Sequence, residues 1–144
     1  MTNEARVQIE SDADTVIARQ QGRVTALRIG LSRTDATFVA TAISEIARNI
    51  TVHAGRGEIV IREVNDSGRT GIVVIARDEG PGISDVEAVL RHDYISEAGL
   101  GIGLWGAQRL MDEVVVTSEL GKGTTVTMTK WCGADQVGAL LSEV

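Results

Sequence analysis

At Ala54-Gly55-Arg56-Gly57 the spacing of apolar residues changes from the period of a helix to that of a strand, so the chain must mix both elements. Upstream, Val39, Ala42, Ile43, Ile46 and Ile50 form one apolar stripe. With Ser32 as N-cap and Asp35 in a capping-box position, they predict a long helix over residues 34 to about 53. An earlier helix is expected after Ser11 or Asp12, with Val16, Gln20, Val24 and Leu27 at helical spacing and Gly30 as terminator. Val7 and Ile9 alternate within Arg6 to Glu10 and suggest a short strand before it. Downstream, Glu58 to Val64 and Gly71 to Arg77 read as a hairpin around the polar turn at 65–70. After the loop Asp78-Glu79-Gly80-Pro81-Gly82 come a short helix (Asp85 to Leu90) and a polar stretch to Ala98. Gly99-Leu100-Gly101-Ile102-Gly103 then opens a helix whose apolar face is Leu104, Ala107, Leu110 and Met111. Val114 to Ser118 and Thr124 to Trp131 form a second hairpin around Glu119 to Gly123. This order predicts an α+β two-layer sandwich, a mixed, mainly antiparallel sheet with helices on one face. One domain is expected over residues 1–131, followed by a tail, 132–144.

Composition removes several functions. The net charge is −6, from 14 basic and 20 acidic residues, and no run of Lys or Arg offers a phosphate-binding patch. Aromatic residues are only 3% of the chain, too few for a row of stacking platforms, so nucleic acid is not an expected partner. Met1-Thr2-Asn3-Glu4 does not begin a secretory signal, and no apolar run approaches the roughly 20 residues that span a bilayer. No membrane partner is expected, and the cytoplasm is the expected location. Cys132 is the one cysteine and has no neighbouring ligands for zinc, so an inert thiol is expected.

The chemistry lies in the glycine clusters and in two polar residues of the long helix. Glycine at a strand end lets backbone N–H groups approach phosphate oxygens, and Gly101 and Gly103 precede a helix N-terminus, which favours anions. Singly, each cluster is more often a tight turn. A P-loop is excluded, because Gly121-Lys122 continues with Gly123 and lies between two strands. The dinucleotide pattern at Gly101, Gly103 and Gly106 lacks the preceding strand and the βαβ unit it needs. Glu45 and Asn49 are four residues apart and therefore neighbours on one helix face. His53 and His92 are read as structural or solvated residues.

Glu45-Ile46-Ala47-Arg48-Asn49, Asp78-Glu79-Gly80-Pro81-Gly82, Gly99-Leu100-Gly101-Ile102-Gly103 and Gly121-Lys122-Gly123-Thr124 occur in the order of the boxes of the GHKL superfamily of ATPases and kinases. The chain resembles that superfamily from Val7 to Trp131, which implies its Bergerat ATP-binding fold. By the resemblance, ATP and Mg²⁺ are the cofactors, Asn49 holds the Mg²⁺, and Glu45 is the catalytic base. Asp78 resembles the aspartate that accepts the adenine amino proton, and Gly82 lets the base lie close to the loop. Gly80 belongs to the same box, while Gly99, Leu100, Gly101, Ile102 and Gly103 resemble the lid. Lys122, Gly123 and Thr124 complete the expected nucleotide site.

Sensor kinases of this fold carry a phosphoacceptor helix, and the motor-like members carry a transducer domain; neither is expected here. The chain is most similar to the bacterial anti-sigma serine/threonine kinases, and within them to the RsbT type, the switch kinase of the stressosome. The matching stretches are Ala18-Arg19-Gln20, Thr41 to Ile50, Asp78 to Ile83, Gly99-Leu100-Gly101, Arg109 to Glu113 and Lys130-Trp131. That resemblance implies phosphorylation of a STAS-domain protein, followed by activation of a PP2C-type phosphatase by binding, with a sigma factor as a further partner. The alternative is an anti-sigma factor or a non-catalytic module whose shape ATP stabilises. Two features depart from the type: Glu97 before the lid glycines, which implies modest ATP affinity, and the tail. In the tail, Val137, Leu140, Leu141 and Val144 fall on one stripe of a short amphipathic helix.

Overall fold

The computed structural model describes residues 4–82 and 100–133. Its elements are β1 (Glu4–Ile9), α1 (Asp12–Arg28), α2 (Arg33–Asn49), a π-helical turn (Ile50–Ala54), β2 (Gly57–Asp66), β3 (Arg69–Asp78), α3 (Leu100–Leu110), β4 (Glu113–Glu119) and β5 (Gly123–Trp131). The strands form one sheet in the order β1-β2-β3-β5-β4, and each pairing among them is antiparallel. The helices cover one face. Ile59, Ile61, Ile72, Val74, Ala76, Val126 and Met128 of that face pack with Val39, Ile43 and Ile46 of α2 and with Leu104 and Ala107 of α3 in a single core. Burying each large aliphatic side chain contributes about 1.5–3 kcal/mol. The short helix expected at residues 85–90, the lid up to Gly99 with His92 and Glu97, and the tail stripe lie outside the described residues.

Local chemistry sets the boundaries. Ser32 caps α2, its Oγ accepting from the Asp35 N–H at 3.0 Å. The Asp35 carboxylate lies 3.8 Å from Lys130 Nζ. Gly30, at φ +106°, ends α1 in a Schellman arrangement: Leu31 N–H donates to Ala26 O and Gly30 N–H to Leu27 O. Ser11 is the N-cap of α1, but its side chain caps nothing; Asp14 instead accepts from Glu10 N–H at 2.9 Å.

One expectation is corrected. The β2–β3 turn is not six residues long: the strands run on to Asp66 and Arg69, leaving only Ser67 and Gly68 between them. Both have positive φ, 54° and 83°, the signature of a tight turn whose twist matches the flanking strands. The inner face of α1 is built from its small residues. Val16, Val24 and Leu27 are 53%, 50% and 41% exposed, while Ala18, Gly22, Thr25 and Ala26 are buried. A Cβ at Gly22 would overlap the Ile43 side chain, so α1 lies against α2 more closely than a face of large residues would allow. Close approach selected the small side chains and left the large ones outside.

Candidate functional site

α2 does not stop cleanly at Asn49; it widens into the π turn, closed by Gly55 N–H donating to Ile50 O at 2.9 Å. Such single wide turns recur at functional sites because they re-aim side chains. Here the widening falls between Asn49 and His53, at the edge of a cleft. Ile46, Ile50, Ala76, Leu104 and Val126 supply apolar walls, and Asn49, His53, Asp78 and Thr124 the polar groups. Pro81 and Gly82 close one side. An apolar slot with a few convergent polar groups is the form of a small-molecule site.

Each polar group is held in place by its element. Asp78 ends β3, paired with Gly57 on one side and Thr124 on the other. Its Oδ1 accepts from Gly80 N–H at 2.9 Å, which fixes the carboxylate at the loop entrance. The Thr124 hydroxyl is 2.9 Å from that of Ser118, which also donates to Gly123 O at 3.1 Å. Asn49 Nδ2 and His53 Nε2 are buried without a hydrogen-bond partner among the described residues. Burial lowers the pKa of His53 below its ordinary value, against the opposing charge of Asp78.

The glycines divide by what their missing Cβ would meet. At Gly103 it would lie 2.8 Å from Asn49 Oδ1, so this glycine lets the start of α3 close over the asparagine. At Gly82 (φ +80°) it would strike the Glu119 carbonyl, and at Gly123 (φ +105°) the Asp78 carbonyl. Those two glycines lock the loop after β3 against the β4–β5 turn, helped by Gly121 N–H donating to Pro81 O at 2.8 Å.

The structure thus brings Asn49, Asp78, Gly82 and Thr124 around one cleft and sets Gly103 against Asn49. Glu45 stands one helical turn before Asn49, half-buried and outside the cleft wall. Gly80 binds back to Asp78, and Gly123 packs behind it. Lys122 is not in the wall: it sits on the exposed turn, 3.5 Å from Glu119. Leu100, Gly101 and Ile102 already belong to α3, so Gly101 and Gly103 lie in its first turn and do not precede it. Gly99 is outside the described residues. His53, read from sequence as structural or solvated, is a cleft residue; its position one turn after Asn49 was the available signal. At Cys132, burial pushes the thiol above the usual range and Sγ donates to Ile29 O.

The two-layer fold and the cleft between α2 and the end of β3 define an ATPase-type domain, and residues 9–130 match the histidine kinase-like ATPase domain family. The chain belongs to that family. It is 44% identical over 131 residues to the serine/threonine-protein kinase RsbT of Bacillus subtilis (strain 168), covering 91% of this chain and 98% of that protein. It is also 35% identical over 138 residues to the anti-sigma F factor of Caldanaerobacter subterraneus subsp. tengcongensis, covering 92% of each. The anti-sigma F factor of Thermoanaerobacter sp. (strain X514) is 33% identical over the same length. The resemblance to GHKL kinases of the RsbT type agrees with these relationships.

Proposed function

We propose that this chain is an ATP-dependent protein serine/threonine kinase of a bacterial partner-switching system, working in the cytoplasm. Its substrate is a STAS-domain protein; once released, the kinase activates a PP2C-type phosphatase by binding it. The observation that carries the reading is the pair Glu45 and Asn49, one turn apart on α2, with Asn49 lining the cleft and its buried Nδ2 without a hydrogen-bond partner among the described residues.

The residues fit ATP with Mg²⁺. Among the described residues no group of three acidic, His or Cys side chains could hold a metal, which suits an ion held mainly by phosphate oxygens and water. Asn49 would add one ligand, since a half-turn of its amide exchanges the nitrogen and oxygen ends. When bound, Mg²⁺ neutralises charge on the phosphates. Asp78 would accept the adenine amino proton, and the apolar walls would exclude water from the base. Glu45 would orient the acceptor hydroxyl and take its proton as the oxygen bonds to the γ-phosphorus and ADP departs.

Radiolabelled γ-phosphate transfer to purified STAS-domain proteins tests this reading. Label on a serine or threonine supports it, and no transfer to any candidate overturns it. The anti-sigma F factor relatives favour a second reading, sequestration of a sigma factor, which would appear as a stable nucleotide-dependent complex without transfer.

A further inference from the structure

We propose that residues 134–144 dock as a short helix on the outer face of α1, antiparallel to it. Val16, Ile17, Val24 and Leu27 are exposed on that face, and with Ala13 and Gln20 they form one stripe along the helix. The stripe lies opposite Ala18, Gly22, Thr25 and Ala26, the buried side of α1. A single exposed apolar residue needs no explanation, but four large ones on one stripe make a patch of the kind that binds something.

Position, pattern and charge all select this occupant. β5 delivers the chain to the right end of α1: Cys132 Sγ lies 3.6 Å from Ile29 O, so Gly133 leaves the sheet beside the C-terminus of that helix. The stripe from Leu27 back to Val16 and a helix over residues 134–144 are each about 15–18 Å long, at roughly 1.5 Å per residue. Val137, Leu140, Leu141 and Val144 supply one apolar side to set against the stripe. A helix this short is marginal in water by itself and forms only where that side is covered. The charged residues of 134–144, Asp135 and Glu143, are both acidic, whereas the exposed Arg19, Arg23 and Arg28 flank the α1 stripe. Running antiparallel, the segment brings Asp135 near Arg28 and Glu143 level with Arg19 and Arg23. Exposed ion pairs add little affinity, so the charges select the direction and the apolar side supplies the binding. The segment lies outside residues 9–130, which match the ATPase-domain family, so this contact is separate from the cleft.

The test is amide hydrogen exchange on the full chain at two protein concentrations, with the size of the species followed by ultracentrifugation. In wild type the amides of residues 138–144 should exchange about tenfold more slowly than in Leu140→Asp, equally at both concentrations. Val24→Asp, a change on α1 and not in the tail, should remove the same protection while the α2 amides keep theirs. Val16→Asp should do so as well, and guards against a local defect in α1 caused by the first variant. Fast exchange of 138–144 in wild type overturns the inference. Tail protection that survives both α1 variants overturns it too, because the tail then docks elsewhere. Protection that appears only at the higher concentration, together with a dimer, assigns the face to a second copy and likewise overturns it.

Discussion

Gly103 and Asn49 are in direct contact: a Cβ on Gly103 would lie 2.8 Å from Asn49 Oδ1 and 2.9 Å from Nδ2. The first turn of α3 therefore rests on the amide that faces the cleft. Gly103→Ala should displace that amide and weaken Mg²⁺-ATP binding about tenfold, while the melting temperature changes little because alanine suits a helix. Calorimetry together with a thermal melt checks both halves. Unchanged affinity would mean that the amide can move aside without consequence.

Glu45 makes a different prediction, because it stands outside the cleft wall. Glu45→Ala should leave ATP affinity near that of wild type but lower phosphate transfer about 10²–10⁴-fold, the usual effect of removing a positioned base. Transfer at the normal rate would remove Glu45 from the catalytic role.

Lys130 ties three elements together. Its Nζ donates to Leu110 O at 3.0 Å at the end of α3, and lies 3.8 Å from Asp35 and 3.6 Å from Asp112. The Phe38 ring lies below it, 5.5 Å from the ring centre. Lys130→Met keeps the stem and removes the charge, so it should lower stability by about 1–3 kcal/mol. Denaturant titration of the two proteins measures this directly.

His53 should make stability depend on acidity. Its folded-state pKa is lowered, chiefly by burial, below the ordinary value near pH 6.5. Between those two values the unfolded chain binds the proton more readily than the folded one does. The contribution is therefore full above about pH 6.5 and is lost as the pH falls toward the lowered folded-state pKa. Denaturant melts at pH 7.5 and 5.5 should show a drop in wild type that His53→Gln lessens.

Where one local rule decided the geometry, the sequence was legible. Ser32 and Gly30 mark helix ends because their side-chain or φ requirements operate within a single turn. The strands around the Asp78 loop were visible in their Val and Ile content, and the four boxes showed which parts of the chain would meet. The face of α1 was not legible, because contact between two helices rewarded Ala18 and Gly22 over Val16 and Leu27. His53 was missed because its significance depends on the π turn and on Asp78, which is adjacent only in space.

β5 is the last of the described strands in the chain, yet it lies between β3 and β4. Thr124 and Val126, which help to wall the cleft, are made after Asn49, His53 and Asp78, so a chain emerging from the ribosome holds one side of its pocket without the other. Until β5 arrives, the edge of β3 is also open to mispairing. Nucleotide capture is therefore a property of the completed sheet, and ATP can favour the folded chain only after that strand is in place.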